Sequence, residues 1–155
     1  MRNKQKGFSL IELLIVVAII LIIAAIAIPN LLRSKIAANQ ASAVGSLRTL
    51  NTSCIAYSTS YGQFPTNLSD LGPVSSGGTA SSTSADLIDS VLAAGSKSGY
   101  TFVYKAGASN QSYTVTATPI TAATTGQNMY FTDQSGVIRV DTSGAGAGAS
   151  STPIG

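Results

Sequence analysis

Residues 6–30 read KGFSLIELLIVVAIILIIAAIAIPN, and they decide the architecture. Phe8 to Ile28 contains no Lys, Arg or Asp, but Glu12 stands near its start. Twenty-one residues of helix rise about 31 Å, the thickness of a bilayer's hydrocarbon core. A carboxylate deep in such a span costs roughly 2.5–3.5 kcal/mol on insertion scales. Something must offset that cost. Ahead of the run, MRNKQKG carries Arg2, Lys4 and Lys6, which the positive-inside rule keeps on the cytoplasmic side.

Beyond the run, Pro29 lacks an N–H and clashes with the carbonyl four residues back, so a kink is expected there. Ala43, Leu47, Leu50, Cys54, Tyr57 and Tyr61 then recur at spacings of four and three, the apolar stripe of an amphipathic helix. Asn39, Gln40, Ser46, Arg48, Thr49 and Asn51 fall on its other faces. The reading is one long helix from about Phe8 to Tyr61, stopped by Gly62 and Pro65. YGQFPTNLSDLG then forms an ordered loop and residues 74–85 a Ser/Gly/Thr loop. A short helix is expected from Asp86 to Ala94, with Ser84 as its N-cap and Gly95 as its stop. Four strands follow: YTFVYKA from Tyr100, SYTVTATPI from Ser112, and NMYFTD and GVIRVD around the turn DQSG. Tyr100, Phe102 and Tyr104 share one face; so do Tyr113, Val115 and Ala117. The fold class is α+β, a long N-terminal helix packed on a small antiparallel sheet. The expected boundaries are a leader at 1–7, an apolar helix at 8–28, its amphipathic continuation at 29–61, a head at 62–141 and a flexible tail at 142–155.

Composition narrows the function. The chain has 155 residues, nine Lys or Arg, six Asp or Glu, no His and one Cys. Without the three leader cations the charges balance, so no basic patch remains for nucleic acid. Absence of His and a single Cys54 exclude a zinc site, a His-based triad and an internal disulfide. Cys54 falls on the helix stripe as a buried apolar thiol. Asp86 and Asp89 suit the first turn of a helix. Asp133 opens a turn without the further carboxylates of a calcium loop. No cofactor is implied, and nothing points to an enzyme.

Two readings of the N-terminus compete. An ordinary signal peptide would be cut after Ala27, at AIA, but its apolar core is usually 7–15 residues long and this one is longer. In the other reading the cut precedes the run. Lys6, Gly7, Phe8 and Glu12, the apolar run and Pro29 together resemble the class III leader and N-terminal helix of type IV pilins and pseudopilins. YGQFPTNLSDL resembles the loop after the long helix in the same families. The resemblance implies that a prepilin peptidase cuts between Gly7 and Phe8 and methylates the new amine of Phe8. That amine lies four residues before Glu12 on one helical face, a partner for the carboxylate. In a filament the resemblance places Glu12 against the amine of a neighbouring copy, so Glu12 sets the register of assembly and a misplaced subunit is penalised. The rival reading is that Glu12 snorkels to the headgroups.

The implied function is a type IV major pilin, a homopolymer assembled from the inner membrane into a surface filament for adhesion or twitching motility. Its implied partners are copies of itself, the prepilin peptidase, an assembly platform protein and ATPases. The alternatives are a pseudopilin of a type II secretion system and a minor pilin. Three features depart from the family: Leu21 stands where many members carry Gly, Leu31 where many carry an aromatic, and the C-terminal disulfide is missing.

Overall fold

A computed structural model describes residues 8–154. The chain divides into two compact units, the first ending at Lys35 and the second beginning at Ile36. Helix α1, Leu10–Tyr61, is assigned without interruption for 52 residues, with Pro29 inside it. Pro29 offers no N–H to the carbonyl of Ala25, so one intrahelical bond is missing at that turn.

Within the first unit the side chains from Phe8 to Lys35 are exposed, apart from a half-buried Ala24. Among the described residues, nothing covers this run of Ile, Leu and Val. It is the one described helix long and apolar enough to cross a membrane.

The second unit contains the core. Residues 36–61 of α1 lie over a six-stranded antiparallel meander in the order β1-β2-β3-β4-β5-β6. The strands are β1 (Ser96–Lys97), β2 (Tyr100–Ala106), β3 (Tyr113–Pro119), β4 (Met129–Asp133), β5 (Arg139–Asp141) and β6 (Thr152–Pro153). Tyr100 and Phe102 of β2 alternate inward, as do Tyr113, Val115 and Ala117 of β3. They meet Ala43, Leu47, Leu50, Cys54 and Tyr57 from the helix in one hydrophobic cluster. Aromatic rings fill the end near the loop: Phe64 meets Tyr113 edge-on at 4.8 Å, and Tyr104 stacks on Tyr113 at 5.8 Å.

The sheet has six strands where the sequence predicts four. β1 pairs with β2 through a two-residue loop, Ser98-Gly99, both at positive φ, the geometry of a type I′ hairpin. β6 comes from the segment expected to be a tail with nothing to bury. Its backbone pairs with β5, Ser151 accepts a bond from Arg139 Nη1 at 3.1 Å, and Ile154 packs on the core.

The short helix is also shorter than predicted. α2 spans Ser90–Ala93, and its N-cap is Asp89, whose Oδ1 accepts the Leu92 N–H at 2.9 Å. Asp86 takes φ +55°, which no helix admits, and the Ser84 hydroxyl donates to the Pro73 carbonyl instead of capping. The N–H groups of Ala85 to Ile88 donate to the carbonyls of Asp70, Leu71 and Gly72, which ties this segment to 70–72 in a non-helical course.

Candidate assembly site

At the N-terminal end of α1, sequence and geometry meet on Glu12. Its Oε2 accepts the backbone N–H of Ser9 at 2.9 Å, and the Ser9 carbonyl accepts the N–H of Leu13. Ser9 thus occupies the N-cap position and Glu12 the third helical position, the spacing S-x-x-E of a capping box, with its carboxylate arm in place. An N–H that the helix leaves without a partner is satisfied, and the negative charge sits at the positive end of the helix dipole. Sequence reasoning overlooked Ser9, although the S-x-x-E signal was there to be read. Phe8 is 82% exposed beside this cap. In the uncut chain its nitrogen is a peptide amide with no positive charge for Glu12. Gly7, the other half of the expected cleavage site, lies outside the described residues.

In the second unit, Ala43, Leu47, Leu50, Cys54 and Tyr57 are buried and Tyr61 is half-buried. Burial pushes the Cys54 thiol up to about 12, which keeps it protonated and unreactive at neutral pH. Tyr57 donates its hydroxyl to the Ser82 carbonyl at 2.6 Å, and its ring lies 4.6 Å from that of Tyr61. Tyr104 donates to the Pro65 carbonyl at 2.8 Å, fastening the loop after the helix to the sheet.

The polar residues assigned to the other faces of the helix need correction. Asn51 is buried, and it joins helix to sheet. Its Nδ2 donates to Thr132 Oγ1 at 2.9 Å and to the Gly136 carbonyl at 3.1 Å, while its Oδ1 accepts the Tyr113 hydroxyl at 3.0 Å. Thr132 then sends its one proton to the Val137 carbonyl at 3.1 Å. Every member of this node is satisfied, so it fixes the height of the helix over β3, β4 and the turn between β4 and β5. Asn51 lies four residues after Leu47 and one after Leu50, so its position on the helix pointed inward; polarity concealed it. Ser46 is buried as well, and Asn39 Nδ2 donates to the Thr125 carbonyl at 2.8 Å.

The described chain thus combines an exposed apolar helix, a capped carboxylate at its start and an α+β head. Residues 2–28 match the family model described as the prokaryotic N-terminal methylation motif. In this stretch the chain is similar to type IV pilins. It is 67% identical over 39 residues to the type IV wide pilus major component PilA4 of Thermus thermophilus, covering 25% of this chain and 29% of the relative. It is 52% identical over 59 residues to the type IV major fimbrial protein FimA of Dichelobacter nodosus, covering 36% and 37%. Over 72 residues it is 31% identical to the type II secretion system core protein G of Dickeya chrysanthemi, covering 46% and 47%. The chain thus spans less than half the length of these curated relatives. No solved structure matches it.

Proposed function

We propose that this protein is the structural subunit of a type IV pilus, processed at Gly7–Phe8 and polymerised from the inner membrane into a surface filament. The observation that carries the reading is the uncovered apolar helix in register with a capped Glu12. Lipid covers it before assembly. In a filament the same Ile, Leu and Val side chains exchange lipid for one another, so extraction sacrifices little apolar contact.

Processing changes the chemistry at the cap. The cut turns the Phe8 nitrogen from an amide into a charged, methylated amine four residues before Glu12. The carboxylate then has two competitors for its lone pairs: the Ser9 N–H of its own helix and an amine, its own or a neighbour's. A carboxylate left without a cation inside an apolar bundle is strongly destabilised, so only the stagger that supplies an amine is tolerated. On this reading Phe8 is the methylated residue and Glu12 the register residue. The bond missing at Pro29 lets the helix bend there. The stripe from Ala43 to Tyr61 carries the head. The subunit works as a building block and not as an enzyme; peptidase, platform protein and ATPases act on it from outside. Relatives named for type II secretion support a pseudopilin as the second reading.

Replacing Gly7 by Glu places a bulky anion at the cut. Expected are accumulation of full-length precursor in the inner membrane and no sheared filaments; abundant filaments from that variant would overturn the processing claim.

A further inference from the structure

The apolar run ends at Ile28, but the first charge after Glu12 is Arg33, so the stretch free of charge is residues 13–32. Its 20 residues rise about 30 Å, the thickness of the hydrocarbon core. With residues 8–28 across a bilayer instead, Glu12 would lie about 6 Å inside it, and Leu31 and Leu32 would stand in water. Both leucines are exposed, at 70% and 51%. Moving the span toward Arg33 covers both. It also brings the carboxylate to the opposite boundary, at the helix start where it accepts the Ser9 N–H.

Arg33 and Lys35 are exposed, and the ion pair found among the described residues, Lys97 with Asp89, involves neither. They lie one and three residues past the uncharged stretch, about 2 and 5 Å along the axis. That is the depth of a headgroup layer, roughly 5–7 Å on each side of the core. At about 100° per residue the two cations fall on nearly opposite sides of α1. A protein patch could meet one of them, whereas lipid surrounds a helix and meets both. Their long stems can lie along apolar surface while the charged tips reach phosphate oxygens. Ser34, between them, donates its hydroxyl to the Asn30 carbonyl at 3.0 Å, so it carries no unmet donor into the layer.

We propose that Arg33 and Lys35 each bind the phosphate of an anionic phospholipid in the leaflet facing away from the cytoplasm. They thereby hold the unassembled subunit with residues 13–32, not 8–28, across the bilayer. The inference rests on the membrane stage of the function proposed above and defines which residues that stage buries. Processing sharpens the role. Of the five Lys or Arg among residues 1–35, the cut removes Arg2, Lys4 and Lys6 and leaves these two.

The chain contains no Trp, so a single introduced Trp reports its own depth. The full-length chain, purified in detergent, is reconstituted into vesicles of phosphatidylcholine and phosphatidylglycerol, with bromine at different depths of the acyl chains as quencher. Ile22→Trp should lie deepest, at the centre of 13–32, and Ala18→Trp about 6 Å shallower. Ala18→Trp as the deepest position would overturn the span. Leu32→Trp reads the neighbouring lipid. Brominated phosphatidylglycerol should associate there roughly fivefold more strongly than brominated phosphatidylcholine. Arg33→Gln with Lys35→Gln should bring that ratio close to one. Equal association in the presence of both cations, or a preference that survives both Gln substitutions, would overturn the phosphate contact. Loss of the unsubstituted chain from carbonate-washed cell membranes would overturn the membrane reading itself, a separate outcome.

Discussion

At the scale of single residues, the proposed function gives Glu12 a second duty beside the cap seen in the structure. As a cap it needs an acceptor for the Ser9 N–H, and Gln supplies one. As a register device it needs a negative charge, and Gln does not. Glu12→Gln should therefore insert, be cleaved and hold its helix start, yet assemble as poorly as Glu12→Ala; filament yield after shearing is the measurement. Wild-type yield from the Gln variant would reduce Glu12 to a cap. Asn51 is decided by its three partners. Asn51→Ala should cost about 1–3 kcal/mol, since it strands the Tyr113 hydroxyl and the Gly136 carbonyl; urea unfolding of the solubilised subunit reads the loss. A Cβ added at Gly126 would overlap the Tyr100 ring, so Gly126→Ala should destabilise by about 1–3 kcal/mol through overpacking.

At the scale of elements, the sequence was most legible where one periodicity ran unopposed. The helix from the apolar run to Tyr61 was predicted within two residues at its start, because a 3.6-residue stripe and a long apolar span are strong signals. β2 and β3 were legible for the same reason, through alternating aromatics. The misread elements are short and held by partners distant in sequence. α2 begins at Ser90, capped by Asp89, and not at Asp86, because Asp86 takes a left-handed backbone and segment 85–88 is paired with residues 70–72. β1 and β6 have two residues each, too few for a pattern, and exist because an edge strand was ready to receive them. The buried Asn51 was hidden by its polarity, as Ser9 was by the apolar run that follows it. The proposed cut and methylation at Gly7–Phe8 rest on the leader motif in the sequence alone, since Gly7 lies outside the described residues.

At the scale of the whole molecule, buried ionisable groups give the head an alkaline limit. Burial raises Cys54 from its ordinary 9.0 to about 12 and Tyr100 from 10.0 to about 12. The unfolded chain releases these protons from pH 9 upward while the folded head retains them. Stability is therefore complete below pH 9 and declines as pH rises toward 12. Thermal melts of the solubilised subunit between pH 8 and 11 should show a falling midpoint, and Cys54→Ala should remove part of the slope. The larger claim concerns what the molecule becomes after processing. On the proposed reading, a helix that no described residue covers, with a carboxylate at its start, becomes a polymer component only if the leader is removed and the helix kept. The mass and N-terminal sequence of the mature protein from cell envelopes test this most directly. The account predicts a chain beginning at methylated Phe8. A mature chain beginning at Ile28, or one still carrying Met1 to Gly7, would contradict it.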